Sequence, residues 1–169
     1  MLDKMLKKVL AIIPVFLLVL SLNVYANQDG YSNIEPNFVE IVFIDGVRHI
    51  EVEGRMVPIS DGNYDVTSSR HGFLGTFNLN DAVTSGLRRL MQNNNLFNRN
   101  LRITPVAFGP GITSVDILVT GSGMNPVHFT SVSIMSSRNV IIPWNAGNVS
   151  IYVQTRGANG AVAINIVDN

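Results

Sequence analysis

The sequence contains no cysteine. That excludes a disulfide framework, a thiol nucleophile and any thiolate-ligated zinc or iron–sulfur centre. Charge is scarce too: 14% of the residues are charged, against about 25% in ordinary globular chains. Twelve basic residues balance twelve acidic ones, so the positive footprint of a nucleic-acid binder is missing. No HExxH, P-loop, GxSxG or SxxK pattern occurs, and Gly121-Ser122-Gly123 lacks the flanks of a nucleophile elbow and reads as a turn. Beyond Lys8 there is no lysine, which excludes Schiff-base and Ser-Lys chemistry from the rest of the chain.

The three lysines mark the first segment. Lys4, Lys7 and Lys8 precede an apolar run from Val9 to Leu22, and small residues follow at Val24 and Ala26. This is the pattern of a secretory signal peptide, residues 1–26, cleaved after Ala26. The run is shorter than the roughly 20 apolar residues of a spanning helix, and no second such run follows. The mature protein is therefore expected to be secreted, extracellular or at the cell surface, of bacterial type, and not membrane-spanning. It is net acidic by two charges, with nine arginines and eleven acids, and carries eighteen asparagines in 143 residues. Amides and hydroxyls, rather than charge, make it polar, which suits a β-rich chain with many turns.

Residues 27–37 show little periodicity and read as a flexible lead-in, leaving 38–169 as a single domain. Its pattern has period two. Phe38–Ile44 and Val47–Glu53 flank Asp45-Gly46, a type I′ hairpin signal. The implied register pairs Val42 with His49, Ile44 with Val47 and Glu40 with Glu51. It also places Val39, Ile41, Phe43, Ile50 and Val52 on one buried face. Near the other end, 149–155 and 161–168 flank Asn159-Gly160 and predict a second hairpin, with Val153 opposite Ile166. Further strands are expected near 72–79, 101–108, 113–120, 126–135 and 139–143. Pro105 marks an edge or bulge, and the phase slip at Ser131 marks another bulge. Asn80 could cap a helix over 81–92 with Val83, Leu87, Leu90 and Met91 on one face. The expectation is an all-β antiparallel sandwich, immunoglobulin-like or jelly-roll-like, of about eight to ten short strands and one short helix. A partly closed barrel is the alternative.

Candidate chemistry is sparse. The hairpin register puts Glu40, His49 and Glu51 on one face with the glutamates opposed. A divalent cation such as calcium or zinc would relieve that repulsion, and so would solvation of the face. Asp61, Asn63 and Asp65 alternate as in the opening of an EF-hand loop, but Val66 and Gly72 stand where that loop needs glycine and glutamate. Trp144 and Tyr64 lie among Asn and Asp residues and could form a sugar-binding platform. Arg88, Arg89, Arg99 and Arg102 make a modest basic area. Together these point to a non-enzymatic surface-binding or adhesion module for a protein, glycan or cell-wall partner. Two alternatives remain. One is a self-assembling subunit of an extracellular fibre or matrix, presenting its terminal hairpin as an edge. The other is a secreted hydrolase with dispersed carboxylates and histidine.

Overall fold

The computed structural model describes residues 37–168 apart from residue 63 and residues 68–74. The expected leader, 1–26, and the lead-in up to residue 36 lie outside the described residues, as does His71.

Tight turns organise the first strands. β1 (Val42–Ile44) and β2 (Val47–Val52) meet at Asp45 and Gly46, whose φ values of 51° and 78° are those a type I′ turn demands. The register is the expected one, Val42 opposite His49 and Ile44 opposite Val47. Glu53 and Gly54, at φ 52° and 76°, repeat the device before β3 (Arg55–Asp61). Pro58, which cannot donate to a ladder, falls where β2 pairing ends and pairing with the strand that starts at Leu87 begins. Ile50, Val52, Val57 and Ile59 point inward and are buried. Phe43, expected on that buried face, is instead 71% exposed, because it lies opposite Arg48 near the hairpin tip.

The rest of the chain forms two facing sheets. Its strands are β4 (Tyr64–Thr67), β5 (Gly75–Ala82), β6 (Leu87–Asn93), β7 (Arg99–Phe108), β8 (Ser114–Ser122), β9 (Val127–Val132), β10 (Arg138–Ile142), β11 (Gly147–Arg156) and β12 (Gly160–Asp168). One sheet runs β10-β7-β12-β5-β4, and the other runs β1-β2-β3-β6-β11-β8-β9. After β5 only β8 and β9 are chain neighbours that pair; every other connection crosses between sheets. With β5-β12-β7-β10 facing β6-β11-β8-β9, the last eight strands make the double Greek key of a jelly roll. The molecule is thus an all-β sandwich. Among the described residues it has twelve strands rather than about eight to ten, and β3 meets β6 in parallel. Leu79, Ile103, Ile164 and Ile166 from one sheet bury against Leu90, Ile117, Ile151 and Val153 from the other.

Two local expectations are corrected. No helix occurs over 81–92: β5 ends at Ala82, and β6 starts at Leu87. The helical spacing of Leu87, Leu90 and Met91 comes from a β-bulge, since Tyr152 pairs with Arg89 while Ile151 pairs with Met91. Leu87 joins one core, and Leu90 and Met91 join the other. Gly86 suits a close approach, because a Cβ there would sit 3.1 Å from the Pro58 carbonyl oxygen, tighter than ordinary contact.

The second correction concerns Asn159-Gly160, which does not close a hairpin. β11 pairs with β6 and β8, β12 pairs with β5 and β7, and the two lie in opposite sheets. Ile151, Val153, Val162, Ile164 and Ile166 do share one buried surface. They meet across the sandwich rather than side by side, and alternation cannot distinguish the two cases. Asn159 Oδ1 accepts from the Thr84 amide at 2.7 Å, tying the arch to the β5–β6 loop.

The seven-stranded sheet also rolls upon itself. The His128 amide donates to the Asn37 carbonyl at 2.9 Å, and the Val39 amide to that of Pro126 at 3.1 Å. Residues 37–39 therefore cover the free edge of β9, and the same stretch runs on into β1, at the sheet's other edge. A small barrel results, lined by Ile50, Val52, Val57, Ile59, Leu87, Leu118 and Tyr152.

Candidate functional site

The base of the small barrel holds a buried ionic lock. Asp116 is 1% exposed in the middle of a β-sheet, a position that requires full hydrogen bonding. Its Oδ1 accepts from the Ser131 amide at 2.7 Å and from Arg156 Nε at 2.8 Å; its Oδ2 accepts from Arg156 Nη2 at 3.0 Å. Ser131, at φ 50°, is the expected bulge: three residue steps on β9 oppose two on β8. That bulge turns the Ser131 amide toward the carboxylate. Arg156 Nη1 reaches Glu53 Oε1 at 2.9 Å, so the lock binds β8, β9 and β11 to the β2–β3 turn. The hydrogen bond to Asp116 pushes the Arg156 guanidinium above its ordinary value.

His128 stands one strand away, opposite Leu118, 2% exposed and with Nε2 unpartnered. Burial is the chief force holding its imidazole below the usual histidine range. Asp116 opposes this, Arg156 adds to it, and Glu53 opposes it.

The other end of the molecule is different in character. The loops 94–98, 121–126 and 143–146 gather there, brought together by pairings such as Arg99 with Ile142 and Gly147 with Ser122. The Asn98 and Ala146 amides both donate to the Pro143 carbonyl, at 3.3 and 3.1 Å, and hold Trp144 at the apex of its turn. Trp144 is 79% exposed and Ile141 76%. Asn98, Asn125, Asn145 and Asn148 are exposed at the same end. Phe38, Met124, Ile141 and Pro143 line an open hollow of about 510 Å³ there. On the other side of the 121–126 turn, Arg48, Arg89, Gln92, Thr120, Ser150 and Tyr152 line a second hollow of about 350 Å³, the mouth of the small barrel.

Of the residues singled out by sequence, Trp144 is therefore presented to solvent. Tyr64 opens β4 opposite Leu79, and its side chain lies outside the described part of the structure, as do Asn63 and Gly72 of the calcium-loop pattern. Glu40 and Glu51 do share a hollow, together with Glu53, Val42 and Met56, and all three carboxylates are exposed. His49 is not part of that lining. Its Nδ1 lies 2.9 Å from the Val47 carbonyl of its own strand. Among the described residues no group of three His, Cys, Asp or Glu is placed to hold a metal ion. Arg88 and Arg89 pair with Asp81 and Asp61, at 3.1 and 2.9 Å, and Arg99 with Asp168 at 2.6 Å. The expected basic area is largely neutralised. Sequence reasoning missed Asp116, His128, Arg156 and Arg48. The phase slip at Ser131 was the only signal pointing toward the first of these.

No family model matches the chain, and no curated protein does. Two solved structures it is similar to are of Drosophila melanogaster CENP-C. One is its cupin domain, at 6% identity and a TM-score of 0.35, covering 82% of this chain and 83% of that chain. The other is CENP-C bound to CAL1, at 6% identity and a TM-score of 0.36, covering 78% of this chain and 80% of that chain. No functional inference follows from likeness at that level.

Proposed function

We propose that the protein is an exported, non-enzymatic binding module that docks a surface polysaccharide on the loop end of its sandwich. One observation carries the reading: a lone tryptophan, 79% exposed, surrounded by exposed asparagines. A pyranose ring has an apolar C–H face and a hydroxyl rim. An indole offers the apolar platform, and each amide offers both donor and acceptor without charge. The sandwich interior is filled by packed apolar side chains, so a ligand must be held at the surface, and the loop end offers two hollows for it.

The assembly reading needs a different edge from the one expected. β11 and β12 are both interior strands, whereas β10 is an edge strand and carries the exposed Ile141. Binding of wild type and Trp144→Ala to insoluble cell-wall polysaccharide decides the main reading: retention of wild type alone is expected, and equal retention of both would refute it. A strict monomer at high concentration in size-exclusion chromatography would count against assembly through β10.

A further inference from the structure

The mouth of the small barrel sets a cation over a buried aromatic ring. Arg48 sits on β2 with its guanidinium carbon 5.5 Å from the centroid of the Tyr152 ring. Tyr152 itself is 1% exposed, so the ring forms a floor under the cation. Among the described residues Arg48 has no carboxylate within ion-pair distance, unlike Arg88, Arg89, Arg99 and Arg156. It lines the hollow of about 350 Å³ together with Arg89. Arg89 spends Nη1 on Asp61 and Gln92, at 2.9 Å each, while its buried Nε has no partner. None of the residues lining the hollow is acidic. Two guanidinium groups thus face one space with a single carboxylate between them, and that carboxylate lies outside the lining.

We propose that this mouth is an anion-binding subsite for the carboxylate of an acidic sugar unit. Arg48 supplies a planar fork that matches a carboxylate bidentately. Gln92, Thr120, Asn148 and Ser150 supply uncharged donors and acceptors for a hydroxylated body. The volume lies at the small end of the range for small-molecule sites, about 300–1,000 Å³, enough for one sugar unit. The subsite adjoins the Trp144 face across the 121–126 turn, so one polymer can engage both. The sugar body rests on the polysaccharide reading above; the anion rests on Arg48.

The experiment is a titration of the mature protein with glucuronic-acid oligomers, neutral glucose oligomers and inorganic phosphate, followed by NMR or calorimetry. Wild type is expected to bind the acidic oligomer more tightly than the neutral one, with affinity falling as salt rises. Arg48→Gln should weaken acidic-oligomer binding about tenfold or more, and phosphate should fail to displace that oligomer. Asn148→Gly, which keeps the left-handed backbone of that exposed position (φ 49°), provides a second variant, expected to weaken the same interaction. The proposal is overturned if phosphate competes as well as the acidic oligomer, if salt has no effect, or if both variants bind as wild type does. The two readings fail separately. Acidic-oligomer binding lost in Trp144→Ala but intact in Arg48→Gln would remove the subsite and keep the platform. Acidic-oligomer binding lost in Arg48→Gln but intact in Trp144→Ala would do the reverse.

Discussion

Replacing Asp116 with alanine deletes three hydrogen bonds at once, those from the Ser131 amide and from Nε and Nη2 of Arg156. Breaking a buried charge pair by removing one partner costs about 3–5 kcal/mol. Arg156, however, is 27% exposed and keeps Glu53, so its stranded charge stays partly hydrated. That places Asp116→Ala near the lower end, about 3 kcal/mol. Arg156→Ala should cost at least as much, because it leaves a carboxylate that is 1% exposed holding only the Ser131 amide. The double variant should therefore lose clearly less than the sum of the two, as contacting residues do. Typical domains have about 5–15 kcal/mol in total, so urea midpoints read these losses easily. Hydrogen exchange at the His128 amide, which bonds Asn37, reports whether the barrel closure loosens as the base lock goes. A loss below about 1 kcal/mol for Asp116→Ala, or an additive cycle, would refute the account of the lock.

Other expectations are equally specific. His128 is held below its ordinary value of 6.5 in the fold, chiefly by burial. The unfolded chain thus takes up that proton first, and stability is lost as pH falls below about 6.5, at up to about 1.4 kcal/mol per pH unit. The loss levels off below the folded value; His128→Gln should flatten the decline, and an unchanged pH profile in denaturant titrations would contradict the assignment. Trp144→Ala should leave stability within about 0.5 kcal/mol of wild type, which thermal melting checks. Gly157→Ala should cost about 1–3 kcal/mol, because Gly157 has φ 93° and a Cβ there would collide with the Gly111 carbonyl oxygen. Chemical denaturation showing no loss would mean the β11–β12 arch is not built as described.

The parts of the fold legible in the sequence were those set by adjacent residues. Asp45-Gly46 demands a left-handed turn, and Ser131 breaks a period-two run, so each betrayed its geometry locally. The misread parts were those where local pattern has two tertiary solutions. A bulge at Leu90 makes a strand imitate helical spacing. The alternating faces of β11 and β12 suit a hairpin and a facing pair of sheets equally well. Only the crossing connections decide, and they depend on which edges other strands have already filled. β3 went unseen because Pro58 interrupts it. The site followed the same division: Trp144 could be named, but its exposure is set by a turn anchored on Asn98, 46 residues earlier in the chain. Arg48 carries no signal of its own in the sequence, because only the curl of the sheet places Tyr152 beneath it.

Trp144 is the only tryptophan in the chain, which makes it its own reporter. Its emission, followed while the protein is titrated with soluble cell-wall polysaccharide, tests the docking claim directly. The account predicts a saturable blue shift or quench, with no saturable binding left in Trp144→Ala. Binding detected by calorimetry while the emission stays unchanged would contradict it.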